Sequence, residues 1–95
     1  MNEVEGEGRE LLLAELACWR AKSYGELVAL IDSENHSERT TGTGSRYGLE
    51  VSIHWDDRAG GAVRVIGNVD LGGWTAFVPW TDDFIKAPDG SFVGE

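Results

Sequence analysis

Two rhythms of apolar residues divide this chain. Between residues 9 and 22, Leu12, Leu16 and Trp19 recur at i, i+4 and i+7, with no glycine or proline among them. That spacing sets three large side chains on one stripe of an α-helix. Leu13 and Ala17 flank the stripe, and Leu11, Ala14 and Cys18 extend it. The helix is therefore expected to be buried around more of its circumference than an ordinary surface helix. Ser23-Tyr24-Gly25-Glu26 then matches a capping box. In that motif the serine oxygen accepts from the backbone N–H of the glutamate, whose carboxylate reaches back to the serine N–H. The helical segment is thus kinked near Ser23 and restarts with Leu27, Val28, Leu30 and Ile31 on its apolar side.

From Tyr47 the period falls to two. Tyr47, Leu49, Val51, Ile53 and Trp55 alternate with Gly48, Glu50, Ser52, His54 and Asp56, the signature of a half-buried antiparallel strand. Residues 56–61 read as a turn. Val63, Val65 and Val69 continue the apolar face, with Gly67 as a gap. Residues 70–73 read as a second hairpin loop, and Trp74, Ala76, Val78 and Trp80 as the core face of a third strand. Matching faces sets the register. Trp55 should oppose Val63, Ile53 Val65, and Val51 Gly67, while Val69 should oppose Trp74 and Gly67 Ala76. The small residues Gly67 and Ala76 leave a dip into which the Leu12/Leu16/Trp19 stripe can settle.

The remaining segments carry weaker signals. Residues 1–8 are polar and glycine-containing, as in a disordered or frayed start. Residues 36–45 suit a loose edge strand, with Thr40, Thr41 and Thr43 for it and Gly42 and Gly44 against it. Thr81-Asp82-Asp83 resembles the start of a helix or 3₁₀ turn. Phe84, Ile85, Phe92 and Val93, around a Pro88-Asp89-Gly90 turn, are expected to cover the second face of the sheet. Residues 9–95 thus form a single α+β domain: an N-terminal helical segment, kinked near Ser23, on a three- to four-stranded antiparallel meander. In architecture alone this order resembles cystatin-like and NTF2-like folds, with no motif to carry a function across.

Composition narrows the partners. A chain of 95 residues holds one domain. Seventeen acids against eight Lys and Arg give a net charge of −9. Such a surface repels phosphate backbones, which disfavours nucleic acid, and speeds encounter with a basic protein. The single cysteine, Cys18, has no internal partner and reads as a small buried hydrophobe. The acidic opening residues are unlike a targeting peptide. The longest apolar run, residues 27–31, is far too short for a membrane span. These features together point to the cytoplasm.

Reaction chemistry is sparse. His36 and His54 are the two histidines, with no spacing that holds zinc. The pairs Asp56-Asp57 and Asp82-Asp83 fit turn and cap chemistry better than a calcium loop. No serine or cysteine has the base and orienter that a nucleophile needs. No cofactor is implied. The candidate binding residues lie on the sheet face away from the helix: His54 beside Arg64, Ile66 beside Phe77, and Asp56 and Asp57 at the adjoining turn. The leading reading is a non-enzymatic protein-interaction module that binds another protein, a basic one or a second copy of itself. The alternative is a small ligand-binding or enzymatic domain. Its pocket would lie between helix and sheet, lined by Trp19, Trp55, Trp74 and Trp80, with His54 or Asp57 at the mouth.

Overall fold

Helix α1 spans Glu3–Arg20 in the computed structural model, which describes residues 3–40, 44, 46–70 and 80–95. Its backbone is thus helical through residues 3–8, which the sequence sets apart as a frayed start. Leu12 and Leu16 are each 3% exposed and Trp19 is 9% exposed, so the i, i+4, i+7 stripe is the buried one. Leu13, Ala14, Ala17 and Cys18 are exposed, against the expectation of a widely buried helix and of a buried thiol. The reason is geometric. α1 packs on one face of a single sheet, which covers only part of its circumference, and Cys18 is set well away from the Leu12/Leu16/Trp19 stripe by helical spacing.

The capping box forms as the sequence predicts. Glu26 N–H donates to Ser23 Oγ at 3.1 Å, and Ser23 N–H donates to Glu26 Oε1 at 2.9 Å. Those bonds from Ser23 hold the Glu26 carboxyl below its ordinary pKa. Helix α2 follows over Tyr24–Val28, with Leu27 fully buried and Tyr24 Oη donating to the Gly61 carbonyl at 2.7 Å. Asp32 then takes a left-handed conformation, φ 67°, and turns the chain into the sheet.

Four strands follow in order: β1 (Glu34–Thr40), β2 (Arg46–Trp55), β3 (Val63–Asp70) and β4 (Trp80–Lys86). They pair antiparallel as a β1-β2-β3-β4 meander. Between β2 and β3 the register is the predicted one, with Trp55 opposite Val63, Ile53 opposite Val65 and Val51 opposite Gly67. Of the loose edge strand expected over residues 36–45, residues 36–40 belong to β1, which begins at Glu34, and residues 41–43 and 45 lie outside the described residues. The turn at residues 56–61 also forms, closed by Asp56 N–H to the Ala62 carbonyl at 2.9 Å and by Gly60 at φ 84°.

The partner of β3 is the main correction. Val69 pairs with Trp80, Gly67 with Asp82, Val65 with Phe84 and Val63 with Lys86. The expected pairs Val69–Trp74 and Gly67–Ala76 are therefore overturned, and Thr81-Asp82-Asp83 is strand and not a helix start. Two polar residues hide the period of two here: Asp82 and Lys86 fall on the same face as buried Phe84. Residues 71–79, with Trp74, Ala76, Phe77 and Val78, lie outside the described residues.

Lys86 earns its core position from the end of α1. It is 8% exposed, and its Nζ donates to the Arg20 carbonyl at 3.1 Å and the Lys22 carbonyl at 2.7 Å. A helix ends with orphan carbonyls, and a cation there also meets the negative end of the dipole. Beside it the Arg20 guanidinium lies 5.1 Å from the Phe84 ring centre and 4.7 Å from that of Phe92. Arg20 also donates two bonds to the Glu95 carboxylate, at 2.8 and 2.7 Å, and they hold that carboxyl below its ordinary pKa. Phe84 and Phe92 therefore pack on the helix side of the sheet, not on its second face as the sequence suggests. Lys86→Met keeps the stem and removes the donor. We expect a loss of about 2–3 kcal/mol, the size of charge-assisted bonds to otherwise unpaired carbonyls, read by chemical denaturation.

Candidate functional site: the open face of the sheet

Alternation along each strand decides what lies opposite the helix. Every buried strand residue, from Tyr47, Leu49, Val51 and Ile53 to Val63, Val65, Val69, Phe84 and Lys86, is on the helix side. The other side carries Glu34, His36 and Glu38 from β1, and Glu50, Ser52 and His54 from β2. Arg64, Ile66 and Asn68 follow from β3, then Thr81, Asp83 and Ile85 from β4. These are half-buried or exposed, while the helix residues Leu12 and Leu16 stand over Gly67 on the other side.

At its centre two carboxylates share one cation. Arg64 Nε lies 3.2 Å from Asp56 Oδ1 and 3.5 Å from Asp83 Oδ2, yet makes a well-aligned hydrogen bond with neither. Ile66 stands directly across from Asp83, and Ile85 across from Arg64, so the two isoleucines are diagonal neighbours. Val93 sits next to Ile85, donating its N–H to the Ile85 carbonyl at 2.8 Å, and is 47% exposed. Around this apolar strip, His36 Nδ1 is 3.3 Å from Glu50 Oε2 and His54 Nδ1 is 4.0 Å from Asp32 Oδ1. Thr81 donates to Asn68 Oδ1 at 2.6 Å, and Arg46 pairs with Glu38.

The sequence-predicted set is partly assembled. His54 opposes Arg64 in register, Ile66 is one residue along on the same face, and Asp56 reaches Arg64. Asp57 is exposed in the turn and Phe77 lies outside the described residues. Asp83 is an addition, missed because residues 81–83 read as a helix start, and Ile85, expected as cover from the C-terminal segment, belongs to the β4 row itself, with Val93 bonded beside it. Of the two residues placed at the mouth of the alternative Trp-lined pocket, His54 faces the side of β2 opposite to Trp55, and Asp57 lies exposed in the turn that follows β2. Trp74 and the side chain of Trp80 lie outside the description. Among the described residues, no three His, Cys, Asp or Glu side chains gather to hold a metal ion. None of the described helices is long and apolar enough to cross a membrane.

Comparison with protein-family models, with curated proteins and with solved structures finds no match for this chain.

Proposed function

We propose that this protein is a non-enzymatic interaction module of the cytoplasm, and that the open sheet face is its contact surface. One observation carries the reading. A four-stranded sheet has buried one face under α1, while the other presents Ile66, Ile85 and Val93 among charged groups. Apolar strips with polar rims on an otherwise wet surface mark binding sites for other proteins. Among the described residues the polar contacts of this face, such as Arg64 with Asp56 and Thr81 with Asn68, form no nucleophile–base–orienter chain of the kind nucleophilic catalysis requires. The exposed, unpaired thiol of Cys18 suits a reducing compartment.

The test is affinity capture from the native lysate on wild-type protein and on the double variant Ile66→Thr/Ile85→Thr. Threonine keeps strand propensity and removes the apolar contact. We expect a specific protein on the wild type that the variant loses, with the melting temperature of the variant within a few degrees. An identical retained set on both, or a tight small-molecule ligand from thermal-shift screening, would reverse the reading.

A further inference from the structure

The open face also specifies the charge of what it binds. We infer that its occupant is a cationic polypeptide surface that places an aliphatic side chain on the Ile66–Ile85–Val93 strip and lysine or arginine on the carboxylates around it. The inference rests on the interaction reading above and adds the chemistry of the partner.

Charge bookkeeping on the face comes first. Among the described residues it holds Glu34, Glu38, Glu50, Asp56 and Asp83 against Arg46 and Arg64. Arg46 is taken by Glu38, and Arg64 is divided between Asp56 and Asp83. The central carboxylates therefore keep more negative charge than their one guanidinium neutralises. That surplus sits directly beside Ile66 and Ile85, where an approaching partner strips water from it and strengthens the attraction.

Three other occupants fit less well. A second copy would bring the same acids against themselves, on chains that each carry −9. Strand addition at β4 is blocked along part of its edge: Val93 takes the Ile85 carbonyl, and Asp82 Oδ1 takes the Asp83 N–H at 2.8 Å. Strand addition at β1 meets a charged edge of Glu34, His36, Glu38 and Arg39, the usual device against pairing. The face itself is large enough. Strands of seven to ten residues give, at ordinary strand spacing, a surface of several hundred Å². That approaches the roughly 800 Å² per partner of a specific interface.

The probe is a phage-displayed library of random dodecapeptides, selected on the folded full chain, with each recovered peptide then measured on wild type and on Ile66→Thr/Ile85→Thr. Val93→Ser, a change at an exposed position outside the strands, serves as an independent second variant. We expect wild-type-specific peptides that interleave Lys or Arg with aliphatic residues. The double variant should weaken them at least about thirtyfold. Asp83→Asn should weaken them several-fold, as should raising salt from 50 to 500 mM. Wild-type-specific peptides that are neutral or acidic would overturn the cationic assignment and leave the interaction reading standing. Polybasic peptides that bind both variants as well as wild type would overturn it too, since general attraction to an acidic protein explains them. Recovery of no peptide that prefers wild type would count against the interaction reading itself. A dimer in light scattering that the double variant dissolves would install a second copy as the occupant instead.

Discussion

Trp19→Ala is expected to remove about 3–5 kcal/mol of stability, the range for truncating a large aromatic in a core. Trp19 is 9% exposed, lies in one cluster with Leu12, Leu16 and the sheet residues, and donates its Nε1 proton to Glu15 at 2.9 Å. A domain of this size holds roughly 5–15 kcal/mol in all, so the variant loses a large share. Guanidinium denaturation followed by far-UV circular dichroism reads the change without depending on indole fluorescence. Trp19→Phe, which keeps an aromatic ring and loses the bond to Glu15, is expected to lose no more than about half as much. A loss below about 1 kcal/mol for the alanine variant would put the ring on the surface, and α1 would then need another means of docking.

Gly67→Val is expected to lose about 3 kcal/mol through overpacking. A Cβ at Gly67 would stand 2.9 Å from Leu12 Cδ1 and 3.0 Å from Leu16 Cδ2. Those methyls end flexible side chains, so alanine finds partial relief and is expected to lose only about 1 kcal/mol, offset by the entropy it removes from the unfolded chain. Valine adds two further methyls against leucines that are only 3% exposed, more volume than a small shift of their ends relieves. The missing side chain at Gly67 is what lets α1 approach the sheet. Equal stability of wild type and Gly67→Val would mean that the helix does not rest there.

Much of this architecture is legible in the order of residues, and the reason is the strength of the periods. Tyr47 to Trp55 alternates without a break, so one face is decided for the strand and the β2–β3 register follows from matching it to Val63 and Val65. The Ser23 capping box is legible because its two hydrogen bonds are local. The β4 partner is not legible, because its helix-side row mixes Phe84 with Asp82 and Lys86. Lysine reads as solvent-facing until the carbonyl ends of α1, more than 60 residues earlier, are seen to bind it. The same long-range dependence hides half of the open face. His54, Arg64, Ile66 and Asp56 follow from the β2–β3 register, whereas Asp83, Ile85 and Val93 need the β4 register that only packing supplies. Exposure of Cys18 is hidden for a related cause: helical spacing tells which residues share a stripe, and the packing partner decides how wide a stripe is covered.

Whether one sheet face is taken by α1 is tested most directly by a double-mutant cycle between Gly67→Val and Leu16→Ala. Each change alone should destabilise, by about 3 and about 2–5 kcal/mol. If the leucine fills the space over Gly67, shortening it makes room for the valine, and the double variant should be at least about 1 kcal/mol more stable than the sum of the two losses. Additivity within about 0.5 kcal/mol would mean that the two positions do not touch, and that the helix leaves this face of the sheet uncovered.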